Sequence, residues 1–439
     1  MKVMKFGGTS VGSAERIKNV ASLIVGRGQN IVVLSAMSGT TNTLVEISDY
    51  LRHRNVNGAK EVINSLEKKY QKTISLLFTD VDYRMEADEE IRGIFSHLRS
   101  LCRDSFNEED EKEILAQGEM MSTTLMYLYL HQQGVNAGFL PALDFMRTNE
   151  NCEADSEYIR ERLEALMEEN PGAELYITQG YICRNCNGKV DNLQRGGSDL
   201  TASLIGAAVV ASEIEIWTDI DGMHNNDPRY VENTSPVAEL HFDEAAELAY
   251  FGAKILHPAC VLPAKVNNIP VRLLNTMEPA ARGTLIHNTD RSRTIKAVAA
   301  KDGIIAIKIK SSRMLLASVF MHRVFEIFDN YRKPIDMIAT SEVGVTVTVD
   351  SHLKLEHILD ELKEIGTVKV DEDMAIVCVV GDLHWRNCGF EAAALDALRD
   401  IPVRMVSYGG SDCNISFLVS AADKVAALRA LQERLFPAG

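Results

Sequence analysis

The sequence contains no run of about 18 apolar residues, so no membrane-spanning helix is expected. Its N-terminus lacks the apolar core and small-residue cleavage site of a secretory signal, and the chain is expected to be cytoplasmic. Basic residues are the scarcer charge: 46 Lys and Arg stand against 62 Asp and Glu, a formal net charge of −16. That balance argues against general binding to nucleic acid or an anionic membrane, which needs basic patches. The eight cysteines are scattered, and Cys183-Arg-Asn-Cys186 forms the one C-x-x-C. With no second pair and no histidine at ligand spacing, it reads as a hairpin turn rather than a zinc or redox centre. No G-x-x-x-x-G-K-[ST] loop occurs, so a nucleotide would have to be held on another kind of scaffold.

The 439 residues, 46% hydrophobic and 25% charged, suit a soluble protein of two or three domains. In so acidic a chain any anionic ligand must be held by local cations, and lysines and arginines beside glycines become informative. Over the first 290 or so residues strand-like and helix-like segments alternate. Ile31–Ser35, Glu174–Gly180, Glu213–Asp219 and Ile269–Leu274 read as strands, and residues 58–130 read as helical. That order predicts a mainly parallel sheet covered on both faces, with ligands beyond the carboxyl ends of its strands. The last 145 residues instead read as two βαββα-type cycles, which predict two ferredoxin-like modules. Asp336-Met-Ile-Ala-Thr-Ser-Glu-Val-Gly and Arg404-Met-Val-Ser-Tyr-Gly-Gly-Ser hold equivalent places in them. Neither cycle clusters catalytic residue types, so this region reads as regulatory or oligomeric.

Three groups of residues point to chemistry. Lys5-Phe6-Gly7-Gly8-Thr9-Ser10 ends a predicted strand, and its glycines let backbone N–H groups approach an anion beside a lysine. The helix expected over Ser13–Val25 would add its positive N-terminal end. Leu193-Gln-Arg195-Gly196-Gly197-Ser198-Asp199 repeats the pairing of a glycine doublet with a cation, before a small-residue helix. Glu113-Ile-Leu-Ala-Gln-Gly-Glu119-Met-Met-Ser122 places a carboxylate after a glycine. Trp217-Thr218-Asp219, Asp227-Pro228-Arg229 and Phe251-Gly252-Ala253-Lys254-Ile255-Leu256-His257-Pro258 follow. Each has a plainer reading: an α/β turn, a surface glutamate, a core tryptophan, a helix-ending His-Pro.

Taken in order, these motifs with Met146-Arg147-Thr148 resemble those of aspartate kinases over essentially the whole chain, closest to the monofunctional, lysine-sensitive class. The resemblance implies a three-layer αβα amino-acid-kinase domain at 1–290. It also implies two ACT modules, one at 303–373 and one from 294–302 with 374–439. The implied reaction is transfer of the γ-phosphoryl of ATP to the β-carboxylate of L-aspartate. This is the first step toward lysine, threonine and methionine, with feedback through the ACT modules. By resemblance, Lys5 and the Gly7-Gly8 backbone would hold the transferring group, and Asp199 would fix the polar network. Thr41, Glu119, Arg195 and Ser198 would recognise aspartate. ATP would meet Lys5, Gly7, Gly8, Ser10, Thr218, Asp219, His224, Arg229, Lys254 and Ile255. Mg2+ would be carried by the phosphates, with no protein ligands.

The implied effector, lysine, would meet Met314, Ser318, Val319, Phe320, Ile335, Asp336, Thr340, Ser341 and Glu342. A homodimer or homotetramer through the ACT modules is implied as well. The chain departs from the pattern at His224, where the family usually has a tyrosine, and at Val319, where lysine-inhibited members often have glycine. Other readings are a kinase for glutamate, N-acetylglutamate or uridylate, and a silent amino-acid sensor. A fusion with homoserine dehydrogenase is not expected at this length.

Overall fold

The computed structural model describes residues 1–103, 105–193, 196–252, 256, 258–289, 294–310, 317–341 and 344–436. The chain forms two compact units, Met1–Met223 with Ile255–Asn288 and His224–Lys254 with Thr289–Gly439. Segment 224–254, which chain order assigns to the first 290 residues, thus groups with the second unit.

In the first unit β1 (Lys2–Phe6) lies between β2 (Asn30–Leu34) and the strand Glu213–Thr218, parallel to both. Beyond β2 come β4 (Leu175–Gln179) and then β3 (Ala137–Leu140), also parallel. On the other side Val271–Asn275 continues the parallel order, and Thr284–His287 joins it antiparallel. Every residue of β2 and β4 is buried, as strands covered on both faces require. Trp217 stacks on Phe6 with ring centroids 5.6 Å apart, and its indole N–H donates to Glu215 Oε2 at 2.9 Å. The tryptophan is therefore a core residue.

Helix α1 (Ala14–Ile24) buries Ile17, Val20, Ala21 and Ile24 on one face. Each such Ile or Val contributes about 1.5–3 kcal/mol relative to exposure. Helix α2 (Thr40–Arg52) follows β2. The helical stretch expected at 58–130 resolves into α3 (Val56–Leu77), α4 (Val81–Ser100) and α5 (Glu108–Gln132). Asp80 caps α4 by accepting from the N–H groups of Asp82 and Tyr83, and Asn107 with Asp110 forms a capping box on α5. The Cys183-x-x-Cys186 segment is a β-hairpin, Ile182–Arg184 against Val190–Asn192. Among the described residues no helix is long and apolar enough to cross a membrane.

The second unit is built on a six-stranded antiparallel sheet. Its order is Ile338–Ser341, Gly344–Val349, Ile295–Lys310, Thr367–Gly381, Asn414–Ser420, Val403–Tyr408. The two long central strands pair along their length, with register shifts between Lys301 and Ala306. Two cores lie along it. Ile305, Ile307 and Ile309 alternate toward helices Ala317–Asn330 and Leu355–Ile365. Ala375, Val377 and Val379 alternate toward Phe390–Ala397 and Lys424–Leu435, and Val231 joins this core.

Candidate active site

The turn after β1 is locked by its own backbone. Gly7 N–H donates to the Trp217 carbonyl at 3.2 Å, and Ser38 N–H donates to the Gly8 carbonyl at 3.0 Å. A Cβ on Gly8 would lie 2.7 Å from the Ala36 carbonyl oxygen, so only glycine lets the two loops approach this closely. A second glycine brings in α5. A Cβ on Gly118 would lie 2.8 Å from the Ala36 Cβ, and its absence seats the helix on the loop after β2. One residue on, Ala36 N–H donates to Glu119 Oε1 at 3.1 Å. Ser122 Oγ donates to the Ser35 carbonyl at 2.8 Å.

These contacts enclose a cavity of about 500 Å³ whose walls include Lys5, Gly8, Thr41, Glu119, Ser198 and Asp199. Lys5 Nζ lies 2.6 Å from Asp199 Oδ1, with each side chain 12% exposed. Asp199 Oδ1 nevertheless lacks a partner in hydrogen-bond geometry, so the contact is an ion pair rather than an aligned hydrogen bond. Asp199 stands in the first turn of the Gly197–Ala208 helix, whose preceding residue Gly196 has φ +75° and offers no side-chain cap. Gly39, before α2, has φ +78° and likewise no side-chain cap. Two helix starts with uncapped N–H groups therefore open on the cavity, the arrangement that favours an anion. The start of α1, expected as such an end, does not line the cavity. Ser13 Oγ accepts from Arg16 N–H and caps it.

Glu119 is the unusual group. It is 3% exposed, and burial pushes its carboxyl up to about 8, against the pull of the Ala36 N–H, its own backbone N–H and the Lys5 charge. Its Oε2 is buried and, among the described residues, accepts no hydrogen bond. Among the described residues, one oxygen is satisfied by the backbone and the other is left for a donor. Lys69, half-buried behind the same loop, donates to the Ser38 carbonyl at 2.7 Å. Burial lowers the pKa of its ammonium.

The structure thus gathers Lys5, Gly8, Thr41, Glu119, Ser198 and Asp199 around one cavity. Gly7 lies beneath the Lys5 ammonium and does not line the cavity. Ser10, expected at the nucleotide, is buried and hydrogen-bonded to Thr276 Oγ1 at 2.7 Å; it ties the loop to a neighbouring strand end. Thr218 Oγ1 donates to the exposed Asp219 at 3.2 Å. In the second unit His224 Nδ1 shares a hydrogen bond with Thr234 Oγ1 at 2.9 Å, and Arg229 is exposed and chelated by Asp227.

Among the expected effector residues, Ser318 and Val319 are exposed and Phe320 is half-buried at the start of their helix. Thr340 and Ser341 are exposed at a sheet edge, and Ile335 packs on the first core. Asp336 Oδ1 takes Lys301 Nζ at 2.6 Å and the Tyr250 hydroxyl at 2.7 Å. Its Oδ2 is buried without a hydrogen bond among the described residues. Arg195, Lys254, Ile255, Met314 and Glu342 lie outside the described residues. Sequence reasoning missed Tyr181 and Asn42, which line the cavity, and Lys69. Tyr181 follows a strand-ending glycine, and Asn42 sits in the first turn of α2, in the polar stretch that follows β2; both are weak signals that point the right way.

Residues 1–275 match the amino acid kinase family, and residues 377–435 match an ACT domain. The chain is 32% identical to the lysine-sensitive aspartokinase 3 of Escherichia coli (strain K12), over 99% of each. The crystal structure of E. coli aspartokinase III with aspartate and ADP (R-state) aligns with a TM-score of 0.86 at 31% identity, over 99% of this chain and 100% of that one. The complex with lysine and aspartate (T-state) aligns with a TM-score of 0.82 at 32% identity, over 99% of both.

Proposed function

The chain belongs to the aspartokinase family, and from that premise we propose how its residues divide the work of phosphoryl transfer. It is an aspartate kinase, transferring the γ-phosphoryl of ATP to the β-carboxylate of L-aspartate under allosteric control through ACT modules. Such transfer depends on positioning and charge stabilisation, with little covalent work for the protein. The acceptor is already an anion, so no strong general base is needed.

Lys5 neutralises charge that develops on the transferring group, and Asp199 holds the Lys5 ammonium in place. The Gly8 turn and the starts of α2 and the Gly197–Ala208 helix offer N–H donors to phosphate or carboxylate oxygens. Glu119 receives the aspartate ammonium on its unsatisfied Oε2. Arg195 grips the α-carboxylate bidentately, assisted by Thr41 and Ser198. The nucleotide is held by Thr218, Asp219, His224, Arg229, Lys254 and Ile255. Mg2+ arrives with the phosphates, as a hard cation that keeps several of its waters; in the free cavity Asp199 is paired with Lys5, and the open Oε2 of Glu119 is assigned to the substrate ammonium.

The effector proposed is lysine, at Met314, Ser318–Phe320, Ile335–Asp336 and Thr340–Glu342. Supporting it is Asp336, a buried carboxylate short of one donor, together with the lysine complex of the E. coli relative. The sheet-edge strands Ile338–Ser341 and Val403–Tyr408 suit edge-to-edge pairing in a homodimer or homotetramer. We place the protein in the cytoplasm.

The observation that supports the catalytic reading most is the Lys5–Asp199 pair in one cavity with a buried, half-satisfied Glu119. A hydroxamate assay for acyl phosphate tests it, with aspartate and glutamate as acceptors and lysine, threonine and methionine as inhibitors. Hydroxamate from aspartate alone, suppressed by lysine, is expected. Preference for glutamate would overturn the acceptor assignment, and inhibition by threonine alone would overturn the effector.

A further inference from the structure

The loop 224–233 bears Asp227-Pro228-Arg229 and is held at several points by the C-terminal part of the chain, within the second unit. Asn226 is 2% exposed. Its Nδ2 donates to the Leu428 carbonyl at 3.0 Å and to Gln432 Oε1 at 3.1 Å, while its Oδ1 accepts the Asp227 N–H at 2.8 Å. Gln432, 6% exposed, turns its amide N–H to the Asn233 carbonyl at 3.0 Å. The Asn226–Gln432 pair therefore grips the loop near both ends, with both side-chain polar atoms of Asn226 and both ends of the Gln432 amide engaged.

Neighbouring contacts act on the same loop. Arg429 Nε donates to the Tyr230 carbonyl at 3.1 Å. The Lys424 ammonium lies 4.2 Å from the Tyr230 ring centre while bonded to Asp302 at 2.8 Å. Val298 N–H donates to the Asn225 carbonyl at 2.9 Å. Val231 enters the core formed by Leu428 and Leu431. Arg229 itself is exposed, paired with Asp227 and 5.6 Å from the Tyr230 ring centre, both partners within the loop, so its position follows from that of the loop.

We propose that Asn226 and Gln432 are positioning residues for ATP use, by which the Lys424–Leu435 helix of the regulatory region sets the Arg229 loop. Buried amide pairs of this kind hold one geometry because each group is costly to leave unsatisfied. The inference rests on the reading that Arg229 meets the nucleotide. It adds that the loop's geometry is supplied by the end of the chain, some 200 residues away in sequence. Any movement of that helix would then reach ATP affinity first.

The test uses full-length enzyme. Steady-state constants are measured for Asn226→Ala, Gln432→Ala, the double variant, and the length-swapped pair Asn226→Gln with Gln432→Asn. Each single change should raise KM for ATP about tenfold, the equivalent of about 1.4 kcal/mol, with KM for aspartate within about twofold of wild type. The double variant should be no worse than the worse single one, because the two side chains act as a unit. The swapped pair should recover most of the loss. A general loss of folding would lower kcat and leave the ratio of the two KM values unmoved, and that result overturns the proposal, as does an unchanged KM for ATP. Arg229→Ala, run alongside, separates the two ideas. If it leaves KM for ATP unchanged while Asn226→Ala raises it, the role of Arg229 falls and the clamp stands.

Discussion

Aspartate binding should be strongly pH-dependent, and Glu119 should be the cause. In the free site burial lifts its carboxyl to about 8 from an ordinary 4.5. The group must be ionised to receive an ammonium, so protonation competes with the substrate. At pH 7 only about a tenth of the molecules hold it ionised, and the apparent dissociation constant is raised by the inverse of that fraction. KM for aspartate should therefore fall about tenfold between pH 7 and pH 9, while KM for ATP stays nearly flat. Binding at pH 7 should release close to one proton, visible as a buffer-dependent enthalpy in titration calorimetry.

The sign for stability is opposite. The folded-state pKa lies above the unfolded one, so the folded protein holds more protons across the window between them. Stability of the free enzyme is greatest below about pH 4.5 as far as this group is concerned, and is lost as pH rises through 8. The full loss is on the order of 5 kcal/mol at the upper end. Glu119→Gln keeps the shape and removes the titration. It should flatten the KM profile at a high value and remove this part of the stability decline. A wild-type KM for aspartate that is constant from pH 6.5 to 9 would refute the reasoning.

Lys5→Ala should lower kcat by at least ~10²-fold, the scale for losing one preorganised donor, in the hydroxamate assay; unchanged turnover would remove Lys5 from the mechanism. Gly118→Ala would place a methyl 2.8 Å from the Ala36 Cβ. It should cost about 1–3 kcal/mol by overpacking and raise KM for aspartate by displacing Glu119, read by thermal unfolding and kinetics. Deleting residues from 295 onward should abolish the effector response and also impair ATP use, because segment 224–254 packs in the same unit as the deleted part. A truncated enzyme with unaltered KM for ATP would contradict that packing argument.

Much of the catalytic cavity was legible because its residues sit where strands and helices meet, at glycines the chain needs for close approach. Lys5, Thr41, Glu119, Ser198 and Asp199 come from four stretches of sequence and converge on one space. At α1 two uses of one signal compete. A serine before a helix caps it, and a helix start is also an anion site. Ser13 caps, and the helices behind Gly39 and Gly196, which lack a capping side chain, face the cavity. Lys69 was invisible because its ammonium reaches a carbonyl 31 residues away, across a helix packing that no local pattern encodes. Chain order gives no sign of the contacts that segment 224–254 makes. Its motifs read as part of the kinase half, and the segment lies within the residues that match the kinase family, yet Asn226, Tyr230 and Val231 find partners beyond residue 300.

The two sides of the cavity are prepared differently. On the phosphate side, the Gly8 turn is fixed by backbone hydrogen bonds and the Lys5 ammonium is already held by Asp199. Its donors need little reorganisation when charge develops, which is where preorganisation acts on rate. On the side proposed for the amino acid, Glu119 is held in an unfavourable state, buried with one oxygen that accepts no hydrogen bond from the described residues. An ammonium relieves that state, and a ligand without one leaves it in place. On the proposed role of Glu119, discrimination comes as much from the cost of an unfilled site as from attraction to a filled one. An enzyme built this way accepts weaker aspartate binding near neutrality in exchange for rejecting dicarboxylates that lack the amino group.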